Sequence, residues 1–237
     1  MKRFYKQAEV VAGGAGFSVE LDGKQIRTPK KSVFAVPGEA VAAAVAAEWQ
    51  QQGEEIQPES MPILRLANTA IDMIAPQRDA VVDNLAGFGG TDLLCYRAEA
   101  PGELVRRQDS LWSPWLDWAA SRHGAVLLTT HGITYVAQPD AALSALHRAV
   151  DHHDVMELAA LNDLVTIAGS LVLGLAVSDR ALEVSAAWTA IRLDYDFQAE
   201  KWGKDAEAVQ HGEHLRRDFG HAARFLDLLR VKQSESG

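Results

Sequence analysis

The stretch Phe17-Ser18-Val19-Glu20-Leu21-Asp22-Gly23-Lys24-Gln25-Ile26-Arg27-Thr28 decides how the first part of this chain folds. Apolar and polar residues alternate on both sides of Asp22-Gly23, a pair whose backbones both tolerate positive φ, so the segment predicts a two-residue β-hairpin. Upstream, Ala8 to Val11 and the Gly13-Gly14-Ala15-Gly16 break predict another strand and turn, and Lys31 to Val36 before Pro37 reads as one more strand. The glycine run lacks the lysine and Ser/Thr of a phosphate-binding loop, and a strand follows it instead of a helix, so it reads as a hairpin or bulge.

From Glu39 to Gln52 the texture changes to alanine-rich and helical, with Val41, Val45 and Trp49 recurring every fourth residue as one apolar stripe. Ile63–Ile74 and Gln77–Phe88 predict two further helices split by Pro76. Beyond Gly102 the chain reads mainly as helix, with Ser113-Pro114 as a helix start and Asp140, Asp154 and Ser178 as later openers. A short hairpin is expected near 125–136, around His131-Gly132. The apolar run Leu164–Val177 is too short and too interrupted by Thr166, Gly169, Ser170 and Gly174 to span a membrane, and reads as a buried helix packed through small residues. The expected class is α+β: a small β-rich domain over 1–60, then a larger mainly helical domain over 61–237, with a frayed polar tail from Gln233 to Gly237.

A formal charge of −9 argues against a phosphate-tracking surface and so against nucleic acid as a partner. One cysteine, Cys95, forms no internal disulfide, and its neighbours Leu93, Leu94 and Tyr96 disfavour a thiolate. No apolar h-region follows the charged start Met1-Lys2-Arg3, so no secretory signal is read there.

His211, His214, Asp218 and His221 share one helical face and could hold a metal. That face lies beside the stripe Leu215, Phe219, Ala222, Leu226 and Leu229, and a polar flank of a buried helix accounts for it without a ligand. Asp151-His152-His153-Asp154 reads as a link between helices with Asp154 as cap. Trp112, Trp115 and Trp118 read as domain-packing residues, with a partner-binding patch as the alternative. No catalytic, cofactor-binding or metal-binding residue is assigned.

Several further blocks run through the chain in a fixed order: Arg3-Phe4-Tyr5-Lys6, Glu48-Trp49 with Gln52, Met61-Pro62, Asn68 to Asp72, Thr91-Asp92-Leu93-Leu94-Cys95-Tyr96-Arg97, Gln108 with Trp112 and Trp118, and Gln198 with Trp202-Gly203. With these the chain resembles the ATP12 family, the assembly chaperones for the α subunit of the F1 portion of ATP synthase. The resemblance implies an N-terminal β-rich domain followed by a helical one. It also implies no enzymatic activity and no cofactor, and ATP-independent binding of the free F1 α subunit, shielding the surface that the β subunit later covers. An acidic, functionally sensitive region of the family's C-terminal helices matches Asp194, Asp196, Asp205 and Glu207 here, with Tyr195 departing from a fuller acidic run. Asp205 and Glu207, with Asp194 as second choice, are thus expected to contact the client, and Trp49, Trp202, Asn68 and Asp72 to hold the architecture. Because Met1 directly precedes the matching region, the expectation is a bacterial cytoplasmic protein, favoured as a monomer without stable membrane insertion; a mature organellar form would belong to the mitochondrial matrix. The alternatives are a small metal-dependent hydrolase using the His211–His221 face and a scaffold with another client.

Overall fold

The computed structural model describes residues 1–231. Strand β1 (Ala8–Gly13) pairs antiparallel with β2 (Gly16–Leu21), and β2 with the short β3 (Lys24–Gln25), in the order β1-β2-β3. Asp22 at φ 47° and Gly23 at φ 77° make the expected hairpin turn. The opening Gly13–Gly16 turn also needs glycine: Gly16 sits at φ 113°, and a Cβ there would collide with the Val36 carbonyl oxygen. That close approach lets Phe17 and Val36 exchange both backbone hydrogen bonds at 2.8 Å, which brings the 33–36 segment onto the sheet. Helix α1 (Glu39–Gln50) covers β1 and β2 and buries Val41 and Val45.

Helix α2 (Pro62–Thr69) continues through a wide π turn at Ala70–Ile74 and a 3-10 turn at Ala75–Gln77 into α3 (Arg78–Gly87), with Pro76 at the junction. The short strand β4 (Tyr96–Arg97) leads to α4 (Gly102–His123), then β5 (Thr130–His131), α5 (Asp140–Asp151), α6 (Val155–Ala168), α7 (Leu171–Ser178), α8 (Val184–Trp202) and α9 (Ala206–Leu229). A small N-terminal sheet followed by helices is an α+β fold, as expected.

Four local expectations are corrected. Pro114 lies inside α4 and does not start it: Leu104, Gln108, Trp112 and Ala119 are buried on both sides of it, and their packing carries the helix past the missing N–H of an exposed proline. The 125–136 segment is no hairpin. Its two-residue strand β5 pairs in parallel with β4, and the Gln138 side chain takes both backbone groups of Leu128 at 2.8 Å, in the place of a partner strand. The apolar 164–177 run is two helices, because Gly169 at φ 62° ends α6 and Ser170 caps α7 by accepting from Leu173 N–H. Its small residues do permit close packing, since a Cβ on Gly174 would lie 2.6 Å from a Val165 methyl. Ser178 ends α7 and opens nothing, whereas Asp154 and Glu157 form a reciprocal capping box at the start of α6, at 2.8 and 3.1 Å.

Contacts divide the chain into two compact units, which differ from a single cut near residue 60. The first comprises Met1–Arg78, Asp154–Ala160 and the chain from His221; the second comprises Asp79–His153 and Leu161–Gly220. Residues 61–78 stay with the strands because Ile63, Leu64, Leu66 and Ala67 belong to the same buried set as Val19, Phe34 and Val45, which Phe225 joins from the end of α9. The second unit is built on Leu85, Leu94, Trp112, Leu146, Leu161, Leu164, the fully buried α7 and one face of α8. Among the described residues, no helix is long and apolar enough to cross a membrane. The tail expected to fray, Gln233 to Gly237, lies outside the described residues.

Candidate client-binding surface

Within the second unit α8 and α9 run as a helical hairpin. The Trp188 and Phe219 rings lie 6.3 Å apart, and the Arg192 guanidinium would meet a Cβ on Gly212 at 3.0 Å. Helix α8 buries Ala187, Ala190, Leu193 and Phe197, while Ser185, Thr189, Asp196, Gln198 and Glu200 are exposed. Trp112 donates its indole N–H to the Ala190 carbonyl at 2.9 Å, tying α4 to α8.

Toward the tip of the hairpin the ties become ionic. Arg107 lies 2.8 Å from Glu103 and 2.9 Å from Glu200, and Lys201 lies 3.1 Å from Glu103, so four charges bind the start of α4 to the end of α8. Hydrogen bonds from Lys201 and Arg107 hold the Glu103 carboxyl below its ordinary pKa, and Arg107 does the same for Glu200. Arg107 and Lys201 also stack near the Phe197 ring, at 5.2 and 5.3 Å.

The four acidic residues expected to meet a client fall into three situations. Asp194 accepts from the Gln108 amide at 2.8 Å, while the Gln108 carbonyl accepts from Ala98 N–H at 2.8 Å, so Asp194 is engaged inside the unit. Asp196 is exposed beside Arg192, 3.6 Å away. Asp205 and Glu207 are exposed at the α8–α9 turn; Asp205 caps α9 by accepting from Ala208 N–H at 2.7 Å. The tip thus presents Asp205 and Glu207 outward, with Asp194 drawn into the scaffold.

Of the residues expected to hold the architecture, Trp202 ends α8 and is 80% exposed, because the buried face of α8 ends at Phe197. Trp49 is half-buried, edge-on to Tyr5 at 5.5 Å, and the Tyr5 hydroxyl donates to the Trp49 carbonyl at 2.6 Å. Asp72 accepts from the Thr28 hydroxyl at 2.7 Å and Lys30 N–H at 2.9 Å. Burial works against its charge, but those hydrogen bonds and the Lys30 charge outweigh it and lower its pKa. Asn68 is half-buried on α2, beside a groove of about 510 Å³ lined by Met61, Leu64, Asp72 and Met73.

Two carboxylates quoted above only within the family blocks have defined structural partners. Glu48 accepts from Ile63 and Leu64 N–H at 2.8 Å each, capping α2 from α1, where a proline opening and an uncapped N-terminus invite an acceptor. Asp92 is fully buried and accepts from Leu94 N–H, the Ser170 hydroxyl and Val172 N–H at 3.0, 2.8 and 3.0 Å. Burial raises the pKa of both groups against those hydrogen bonds. Burial first, then the nearby Asp92, pushes the Cys95 thiol up to about 12, so this cysteine is inert as a nucleophile. His211 and His214 lie exposed on α9, and His214 sits 2.6 Å from the Arg217 guanidinium. Among the described residues, no group of three or more His, Cys, Asp or Glu side chains is placed to hold a metal ion.

The sequence reading also passed over a set of exposed apolar side chains in the second unit: Val126, Leu128, Ile133 and Tyr135, with Ile133 100% exposed. They lie in the segment expected to form a short hairpin around His131-Gly132.

Residues 2–120 match the family model described as ATP12 chaperone protein. Over 97% of its length the chain superposes on the crystal structure of Atp12 from Paracoccus denitrificans, at 43% identity, 98% coverage of that chain and a TM-score of 0.93. A crystal structure from Agrobacterium tumefaciens is similar at 38% identity, with 97% of this chain and 86% of that chain covered and a TM-score of 0.92. The mitochondrial protein atp12 of Schizosaccharomyces pombe is 23% identical over 94% of this chain and 81% of its own length. The α8–α9 tip lies beyond the residues matched by the family model. The family model and the Agrobacterium structure both carry the name chaperone, and the chain belongs to the ATP12 chaperone family.

Proposed function

We propose that this protein assists assembly of ATP synthase by binding the free F1 α subunit without using ATP, and that it covers the α surface destined for the β subunit. Family membership supports the chaperone class, and the α8–α9 tip is the observation that supports a client surface. There the exposed carboxylates Asp205 and Glu207 open α9, directly after the end of α8 that the Glu103, Arg107, Glu200 and Lys201 network braces. A surface of this kind suits reversible recognition: its charges steer and orient a partner, while the core beneath stays intact. The exposed apolar side chains at 126–135 are further material for covering an unassembled subunit.

Glu207→Lys tests the reading. Glu207 is exposed in the first turn of α9, so its charge reversal is expected to lower the melting temperature by no more than about 4 °C. Affinity for isolated F1 α subunit is expected to fall by about 10-fold, the scale of a reversed rim charge. A parallel collapse of stability would make Glu207 a structural residue and remove it from the client surface.

A further inference from the structure

Trp202 combines three properties that the fold alone does not require. It is 80% exposed, although an indole offers one of the largest apolar surfaces of any side chain and is ordinarily covered. It is nevertheless held on an ordered base. The preceding residues Glu200 and Lys201 are clamped to Arg107 and Glu103, Gly203 N–H closes the last helical turn on the Ala199 carbonyl at 3.0 Å, and Asp205 caps the next helix. Gly203 itself takes φ 91° and ψ 167°, a conformation open to glycine, which turns the chain immediately after the tryptophan.

The third property is charge. The charges of Glu200 and Lys201 are met inside the unit, whereas Asp205 and Glu207 face solvent beside Trp202 in sequence, with Lys204 as the opposing cation. The ring therefore stands at an acidic rim on a chain of net charge −9. A large aromatic group presented on a fixed base loses little freedom on docking, and tryptophan is the residue type most enriched among binding hot spots.

We propose that Trp202 is the apolar anchor of the client surface, entering an apolar pocket on the F1 α subunit whose edge carries lysine or arginine opposite Asp205 and Glu207. The inference rests on the chaperone reading above and names the contact through which it works.

The test uses the full chain, isolated F1 α subunit and the variants Trp202→Ala and Trp202→Phe, with affinity and melting temperature measured on the same preparations. Trp202→Ala removes an exposed ring and opens no cavity, so its melting temperature stays within about 2 °C of wild type. Its affinity for α is expected to fall about 30-fold or more, the scale of a hot-spot residue, while Trp202→Phe keeps affinity within about 5-fold. Wild-type affinity also weakens as salt rises, since the rim contacts are ionic. If wild type binds α and Trp202→Ala binds equally well, the anchor is overturned and the chaperone reading stands. If affinity and melting temperature fall together, Trp202 is structural and the anchor is likewise overturned. If wild type does not bind α at all, the chaperone reading fails and the anchor with it.

Discussion

Asp92→Ala removes an acceptor that serves two turns of backbone at once. The native carboxylate receives Leu94 N–H, Val172 N–H and the Ser170 hydroxyl, and none of these donors has water to turn to when Asp92 is fully buried. Each buried donor left unpaired costs about 1–3 kcal/mol, which puts the gross penalty at roughly 3–9 kcal/mol. Part of that is offset, because the variant no longer carries a carboxylate out of water, a penalty of several kcal/mol whose sign is visible in the raised pKa of Asp92. The Ser170 hydroxyl also keeps one role, accepting from Leu173 N–H at 3.1 Å. The net expectation is about 2–5 kcal/mol, and in a chain of 237 residues this lowers the melting temperature by about 5–20 °C. Urea and thermal unfolding followed by circular dichroism measure it, with Asp92→Asn, which keeps one carbonyl acceptor, expected to lose less. A change below about 0.5 kcal/mol for the alanine variant would refute the reasoning that Asp92 joins the 93–95 turn to α7.

The other predictions are local. Trp49→Arg puts a cation where a half-buried ring packs on Tyr5, and is expected to cost about 2–4 kcal/mol in urea unfolding; an unchanged midpoint would contradict it. Asp72 has a native pKa held below the ordinary value, so its stabilisation is present above the unfolded carboxylate pKa of about 3.9 and is lost as pH falls through the lower native value. The stability gap between wild type and Asp72→Asn should therefore narrow only below about pH 4, and a gap that widens with acid would be the wrong sign. Cys95 is fully buried with its thiol near 12, so a thiol reagent at pH 8 should label the unfolded chain at once and leave the native chain unmodified; rapid native labelling would show an open route to it.

Elements whose cause is local were legible in the amino-acid order. Asp22-Gly23 dictates its turn because both residues accept positive φ, and Asp154 with Glu157 dictates a helix start because each side chain satisfies the other's backbone. Elements decided by distant packing were not. Ser113-Pro114 has the chemistry of a helix start, yet buried Trp112 and Ala119 carry α4 straight through it. Gly169-Ser170 is flanked on both sides by apolar residues, so the sequence pattern cannot separate one buried helix from two. The same difference governs the candidate surface. Asp205 and Glu207 were named from the family resemblance, whereas the exposure of Trp202 follows from where the buried face of α8 ends, and tryptophan composition alone suggests a packed ring. Glu48 and Asp92 read as ordinary charges until the helix ends they cap are known.

The most direct test of the account is the binding of the purified chain, without nucleotide, to isolated F1 α subunit, to isolated β subunit and to an unrelated unfolded protein. The account predicts selective binding to α that is displaced when β is added, and equal binding to all three, or none to α, would contradict it.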